Sequence, residues 1–592
     1  MVCAYSPGMK MFPVAAFAAA FTGALLSGCA SLDGGAKTAA PATRPALVVL
    51  IVIDGLPMRQ ITQFRQQFGP DGFARFLDRG AWFANAHYGH AFTVTAAGHA
   101  TVLTGAYPWR TGIIGNDWRD PATGELVYNT GDAAESYIGH PTKKLDGTSP
   151  RRLKAETLGD VLRGLDPRSK VIGISGKDRG AILPAGHQGQ AYMYQSTTGQ
   201  FASTSYYMKE HPAWVQAFNA AKPAASYFKT EWRPILAEDA YAQSLPDNQA
   251  WFTQEKRSLP MRMGRDSDAA PTAPYYADLL RSPFADQMSL DFAYAAVQGE
   301  RLGADDAPDI LSVSLSAHDY INHAFSAESR LSQDHLLHLD RMLAAFFARL
   351  DATVGKDRYL IALSADHGFT PAPPYLASRG RDGGRITGAE LVGRLNQGLS
   401  ARLGAGEGKW LHGLSGSTLL LNKALLAEKG VPVDRAAELA RELLLAEPGL
   451  LTAFTRAELL AAEPPPGLTT ANAALYRAMR HAWHPDVSGE VQYALKPGWM
   501  FGGGAVATHG SPHAEDTHVP LLFYGPAWLK PGMQSARVEV ADLAPTLARV
   551  LNVRPPAQAQ GRALREVLAA PACASTPCPR PAAGQPSEQG PD

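Results

Sequence analysis

Three short apolar runs in this chain each lead into a carboxylate. Ala46-Leu47-Val48-Val49-Leu50-Ile51-Val52-Ile53 ends in Asp54, Ile310-Leu311-Ser312-Val313-Ser314-Leu315 is followed by Asp319, and Tyr359-Leu360-Ile361-Ala362-Leu363-Ser364 is followed by Asp366. Runs this continuous read as strands buried on both faces, the mark of a parallel sheet between helical layers. Amphipathic stretches at 329 to 353 and 432 to 446 supply helices of the kind that cover such a sheet. The expected class is therefore α/β, with a mostly parallel central sheet covered by helices on both faces. In an open sheet of that kind the site lies outside the carboxyl ends of the strands, where all three carboxylates emerge.

Composition narrows the function classes. The chain has 592 residues, 45% hydrophobic and 19% charged, with a formal net charge of zero. That is ample material for one large core with embellishments, and it gives no electrostatic case for nucleic-acid binding. The four cysteines are Cys3, Cys29, Cys573 and Cys578, so the body from 30 to 572 holds neither thiolate-bound zinc nor a cysteine nucleophile, and it tolerates an oxidising compartment.

The ends read differently from the body. Residues 1–29 have the order of an export signal: Lys10, an apolar stretch from Phe12 to Leu26, then Leu26-Ser27-Gly28-Cys29. The last four residues resemble a bacterial lipobox, which implies a lipid on Cys29 and a place in the periplasm or cell envelope. A plain signal peptide cleaved near Ala30, or a short uncleaved anchor, are the alternatives. Residues 30–45, rich in Ala, Thr, Pro and Gly, read as a flexible linker, 46–565 as the catalytic domain, and 566–592 as a disordered tail in which Cys573 and Cys578 are close enough for a local disulfide. Two segments, about 181–285 and 371–500, break the strand-helix pattern and read as inserted cap segments that decorate the site.

Asp54, Asp319, His323, Asp366, His367 and His509 form the candidate ligand set, with His513 a competitor for the last position. Singly, such residues are more often turn caps or hydrogen-bonding partners. Together, six Asp and His ligands divide into two triads, each leaving coordination positions open for a nucleophile and a substrate oxygen. The stretch Phe92-Thr93-Val94-Thr95-Ala96-Ala97-Gly98-His99 opens a helix that ends near Gly105, with Thr95 at its start. A hydroxyl there sits where the helix dipole and free N–H groups favour an anion, although Thr95 or Thr93 serving only as an N-cap fits the position equally. His99, one turn further on, packs or hydrogen-bonds behind the site. In Gly176-Lys177-Asp178-Arg179, Lys177 and Arg179 follow a strand-like run and project together, and Asn116 offers a neutral donor; a solvated turn neutralised by Asp178 is the alternative.

The ordered set Asp54-Gly55, Thr95-Ala-Ala-Gly-His99, Gly115-Asn116-Asp117-Trp118, Asp319-x-x-x-His323, Asp366-His367-Gly368 and Thr508-His509-Gly510 resembles the alkaline phosphatase superfamily. It is most similar to PafA-type alkaline phosphatases, relatives of the nucleotide pyrophosphatase/phosphodiesterases, over about 46 to 555. The resemblance implies two Zn2+ ions, one held by Asp319, His323 and His509, the other by Asp54, Asp366 and His367 with Thr95 bound to it. It implies that Thr95 is the nucleophile of a phosphate monoester hydrolysis through phosphothreonine, and that Asn116, Lys177 and Arg179 hold the phosphoryl oxygens of small phosphorylated substrates. Diesterase relatives lack the basic pair. Sulfatases carry a Cys/Ser-x-Pro-x-Arg nucleophile context that is absent around Thr95. Manganese or iron suits the same ligands, and a non-catalytic periplasmic binding lipoprotein is the competing reading from another class.

Overall fold

The computed structural model describes residues 44–404 and 408–569. The export signal, Cys29, most of the linker, and the tail with Cys573 and Cys578 lie outside the described residues. Nine strands form the central sheet: β1 (Leu47–Ile53), β2 (Ala81–Phe83), β3 (Val171–Ser175), β4 (Gln190–Gln195), β5 (Gln200–Ala202), β6 (Asp309–Leu315), β7 (Tyr359–Ser364), β8 (Leu521–Tyr524) and β9 (Gly532–Gln534). They lie side by side in the order β9-β2-β8-β7-β1-β6-β3-β4-β5. β1 is parallel to both β6 and β7, and the parallel block runs on through β3 to β4. Antiparallel pairings occur only where β8 inserts between β7 and β2 and where β5 turns back along the β4 edge.

Every residue of β1 is fully buried. Successive side chains of a strand point to opposite faces, so both faces of the sheet centre are covered. Helices α1 (Thr95–Thr104), α2 (Asp178–Ala185), α3 (Ala317–Phe325) and α4 (Arg330–Thr353) belong to this main body, and α4 matches the amphipathic stretch at 329 to 353. Ser329 caps α4, accepting a hydrogen bond from the Ser332 N–H.

The first inserted segment differs from expectation in where it starts. The stretch from 181 begins inside α2 and contributes β4 and β5 to the central sheet, so only the part beyond Ala202 is an insertion. Its strands are short, lie at the sheet edge and carry Tyr and Gln, which hides them from a search for continuous aliphatic runs. The 371–500 segment folds as a lobe. It contains a four-stranded antiparallel sheet (Leu411–Ser415, Thr418–Leu421, Val491–Leu495 and Leu450–Thr455 in spatial order) with a hydrophobic core of its own, covered by α5 (Gly388–Leu403) and α6 (Val433–Leu445). The amphipathic stretch at 432 to 446 therefore covers this smaller sheet and not the central one. Register shifts at Leu411/Gly413 and Leu450/Thr452 interrupt the alternation that would have announced its strands. At the other end the fold continues past 565: Val567 is fully buried, Lys530 N–H donates to its carbonyl, and Leu568 bridges Leu529.

Candidate metal centre

Strand register brings the three carboxylates together. Ile53 lies opposite Leu315 and Val52 opposite Ser364, so three neighbouring parallel strands end at one level. Asp54, Asp319 on the first turn of α3, and Asp366 all leave the sheet there. Gly55 follows Asp54 at φ +71°, and a Cβ on it would stand 3.1 Å from Asp319 Oδ1; a side chain would be strained and would crowd that carboxylate. The Gly55 N–H donates to Asp366 Oδ1 at 3.0 Å, and Asn322 Nδ2 donates to the Gly55 carbonyl at 3.1 Å. One backbone unit thus aligns all three acids.

The six candidate ligands fall into two groups, Asp319 with His323 and His509, and Asp54 with Asp366 and His367. In the first, His323 Nε2 is 3.3 Å and His509 Nε2 3.5 Å from Asp319 Oδ1. In the second, His367 Nε2 is 3.4 Å from both Asp54 Oδ1 and Asp366 Oδ2. Tetrahedral coordination with bonds of ~2.0 Å places ligand atoms about 3.3 Å apart. Each imidazole is oriented through its other nitrogen: Nδ1 of His323 meets Ala507 O, Nδ1 of His367 meets Gly368 O and Nδ1 of His509 meets Thr93 O, all at 2.9 Å. That leaves Nε2 aimed at the group, the arrangement that fixes metal-ligating histidines. The His367 and His509 rings stack with centroids 3.4 Å apart, joining the two groups.

Both oxygens of Asp54, Asp319 Oδ1, Asp366 Oδ2 and His367 Nε2 are buried without a hydrogen bond. Five such atoms in one place carry a desolvation penalty that only cations remove. A divalent ion in each group fits this donor set, since Asp and His are hard and borderline ligands suited to Zn2+, Mn2+ or Fe2+. The Lys177 ammonium, 5% exposed, stands between the groups, its Nζ 2.5 Å from Asp319 Oδ2 and 2.8 Å from Asp54 Oδ2. Burial pushes its pKa down, but Asp319 and Asp54 more than reverse this and hold it above the ordinary lysine value. Burial likewise works to raise Asp54, yet Lys177 and His367 keep it ionised well below the carboxylate range. His367 is lifted to about 9 against its burial by Asp366 and Asp54, while burial and the neighbouring His367 charge push His509 far down.

Thr95 is the first residue of α1 and is 1% exposed. The N-cap position is Val94, and Thr93 Oγ1 donates to Ser511 O at 2.9 Å, so neither threonine has the capping role left open by the sequence. The segment from Thr93 to His99 touches both groups. Thr93 O receives His509, and His99 Nδ1 lies 2.9 Å from Thr95 O and 3.2 Å from Asp366 Oδ2. His99 Nε2 meets Ser314 Oγ at 2.8 Å, so this histidine braces α1 against the sheet, and Ser314 joins it without any sequence signal. Gly98 lets the helix approach: a Cβ there would stand 2.1 Å from Asp366 O.

Asn116 Oδ1 accepts the Ala96 N–H at 2.9 Å, which fixes the amide and leaves Nδ2 as the free donor beside the helix start. Lys177 and Arg179 line one cavity of about 290 Å³ together with Tyr128, Tyr194 and Tyr320. They are not a solvated turn, since Lys177 is buried and Arg179 NH1 donates to Tyr128 OH at 3.0 Å. Tyr320 places its ring 4.9 Å from Lys177 Nζ. It lies inside the Asp319–His323 pentapeptide, where its neighbours drew attention away from it. A second cavity, about 190 Å³, opens beside His509 between Phe92 and the aromatic residues Tyr493, Trp499 and Phe501. His513 is not among the six: its Nε2 meets Leu495 O at 2.8 Å and ties the smaller lobe to the body.

The family model of type I phosphodiesterase / nucleotide pyrophosphatase matches residues 48–508. The chain is 32% identical over 553 residues to alkaline phosphatase PafA of Elizabethkingia meningoseptica, covering 90% of this chain and 96% of that protein. It is 32% identical over 542 residues to alkaline phosphatase PhoV of Synechococcus elongatus, covering 89% and 93% respectively. The crystal structure of wild-type PafA superposes with a TM-score of 0.80 at 30% identity, over 89% of this chain and 99% of that one. Ligands converging from the ends of parallel strands, and likeness over nearly the whole chain in both sequence and fold, lead to one conclusion: the chain belongs to the type I phosphodiesterase/nucleotide pyrophosphatase family, in the PafA-type alkaline phosphatase branch of the alkaline phosphatase superfamily.

Proposed function

We propose that this hydrolase is a two-zinc phosphomonoesterase that works through a phosphothreonine on Thr95. The observation that carries the reading is the pair of ligand triads, each spaced like the edges of a tetrahedron, with Thr93 touching one group and His99 the other on either side of Thr95. Asp319, His323 and His509 would hold one ion, and Asp54, Asp366 and His367 the other, beside Thr95. Ions there supply Lewis-acid charge at the attacking and departing oxygens of an in-line displacement. The Thr95 oxygen attacks phosphorus and the ester oxygen departs as the alcohol. Water then cleaves the Thr95–phosphorus bond, releasing inorganic phosphate and restoring the hydroxyl. The α1 N-terminus favours the anion, and Asn116 Nδ2, Lys177 and Arg179 bind the oxygens that do not react. A solved variant of PafA has a threonine, an asparagine, a lysine and an arginine replaced. This chain has Thr95, Asn116, Lys177 and Arg179 in the same order.

Initial rates on an aryl phosphate monoester, its bis-ester and the corresponding sulfate, for wild type and Thr95→Ala, test the reading. Monoester turnover should dominate and should collapse in Thr95→Ala; faster diester turnover would instead favour a phosphodiesterase. Zinc-replete, folded protein that holds no metal would favour a binding lipoprotein. We also propose export to the cell envelope with a lipid on Cys29, supported by the lipobox-like Leu26-Ser27-Gly28-Cys29. Among the described residues no helix is long and apolar enough to cross a membrane. Palmitate labelling that persists in Cys29→Ser would refute the anchor.

A further inference from the structure

We propose that the hairpin of strands Asp117–Arg119 and Leu126–Tyr128 is the element that selects phosphate monoesters, with Tyr128 the positioning residue for Arg179. This rests on the phosphomonoesterase reading above. The two strands pair with Asp117 opposite Tyr128, so Asn116 enters the hairpin and Asn129 leaves it side by side. The Asn129 backbone N–H and Nδ2 both donate to the Asn116 carbonyl, at 3.2 and 2.6 Å, fixing the residue whose side chain is bound to Ala96 N–H.

At the end of the returning strand the Tyr128 hydroxyl has one proton and uses it on Asp178 Oδ1 at 2.5 Å. Its lone pairs therefore face the other way, where Arg179 NH1 donates at 3.0 Å. Asp178 is itself held: Gly147 N–H donates to Oδ2 at 2.7 Å and Arg179 N–H to Oδ1 at 2.6 Å. The guanidinium thus cannot turn without breaking a chain of buried or half-buried hydrogen bonds. Arg179 Nε is buried and makes no hydrogen bond, and Arg179 lines a cavity together with Lys177. Burial and the Asp178 charge raise the Tyr128 pKa, so the hydroxyl stays a donor throughout the working range of an alkaline hydrolase. The hairpin is braced from outside by Ser415 Oγ of the smaller lobe, which accepts the Arg119 N–H at 2.9 Å.

A monoester presents a third unsubstituted oxygen and a second negative charge that a diester lacks. Asn116 and Arg179 are the neutral and cationic donors that one hairpin sets in fixed relation, so it acts on the feature that separates the two ester classes. The test is kcat/KM on an aryl phosphate monoester and its bis-ester, and the inhibition constant of inorganic phosphate, for Tyr128→Phe, Arg179→Ala and the double variant. Tyr128→Phe should lose about ten- to a hundredfold on the monoester, the equivalent of one hydrogen bond to a charged group. It should weaken phosphate inhibition in proportion and leave the bis-ester rate within about threefold. In the Arg179→Ala background the same change should add nothing. Asp178→Asn, which keeps the shape and removes the charge, should show the same selective loss, and it decides the matter if Tyr128→Phe proves unstable to denaturant. Equal losses on both esters, or an undiminished loss in the Arg179→Ala background, would overturn the positioning role. A crippled Arg179→Ala beside an unaffected Tyr128→Phe would overturn it alone. An Arg179→Ala enzyme with full monoester activity would overturn the underlying reading as well.

Discussion

Gly98→Ala pits helix propensity against packing, and the structure decides the sign. Alanine in the middle of a helix is worth about 0.5–1 kcal/mol over glycine, so a reading of α1 as an isolated helix predicts a stabilised protein. In the fold, the added Cβ would lie 2.1 Å from Asp366 O, 2.7 Å from its carbonyl carbon and 2.8 Å from its Cα, all backbone atoms at the end of β7. Ordinary contact needs about 3.4 Å, so α1 and the Asp366 turn must part by about 1 Å. Overpacking of that size costs about 1–3 kcal/mol, which offsets or outweighs the propensity gain and leaves a net loss of up to about 2.5 kcal/mol. The same displacement moves Thr95, on the first turn of α1, relative to the Asp366 carboxylate, and a misplacement of ~1 Å between reacting groups lowers turnover about a hundredfold. The assays are kcat on an aryl phosphate and the urea midpoint. Gly393→Ala is the control: Gly393 lies inside α5 with no atom within 4 Å of its Cβ position, and it should gain about 0.5–1 kcal/mol at unchanged kcat. A Gly98→Ala enzyme that is more stable than wild type and fully active would refute the close-approach argument.

Three further outcomes are expected. Chelation should abolish turnover and lower the melting temperature together, because the buried ligand atoms that lack hydrogen bonds lose the cations that compensate them; loss of activity at an unchanged melting temperature would count against a metal that also supports the fold. Lys177→Ala should reduce monoester turnover far more than diester turnover and should destabilise the metal-free protein more than the metal-loaded one, since Asp54 and Asp319 lose their shared counter-charge; equal rate losses on both esters would contradict this. His90 is fully buried with both ring nitrogens unpaired, and burial with the nearby His481 lowers its pKa from 6.5 to about 3. The unfolded chain therefore binds this proton first as pH falls. The contribution of neutral His90 is complete above pH 6.5 and drains away between 6.5 and 3, by up to about 1.4 kcal/mol per pH unit. Denaturant titrations of wild type and His90→Phe should diverge only in that window, and parallel pH profiles would refute it.

The parts of the site that were legible in the sequence share one property: their function is written in local context. Asp54, Asp319 and Asp366 stand just after continuous aliphatic runs, and β1, β6 and β7 are buried on both faces, so no alternation obscured them. Gly98 and Gly55 sit within their motifs because backbone passes within contact distance of them. The smaller lobe was not legible, because its strands are short and bulged and its core is shared between two helices and a sheet far apart in the chain. The edge strands β4 and β5 were lost inside an apparent insertion for a similar reason.

By itself the sequence determined the candidate ligand types, their chain order and the strands that deliver the three carboxylates, because a strand end and the residues following it are local facts. The tertiary structure supplies the physical ground for the two ligand groups that the resemblance implied, through the register that brings Ile53 level with Leu315. It alone excluded His513, whose Nε2 is committed to Leu495 O. It also showed that Lys177 lies between acids of both groups and that Arg179 is held by Tyr128, fifty-one residues earlier in the chain. Hydrogen-bond partners and charge neighbours follow from distances in space, and those become definite only when the sheet has closed around them.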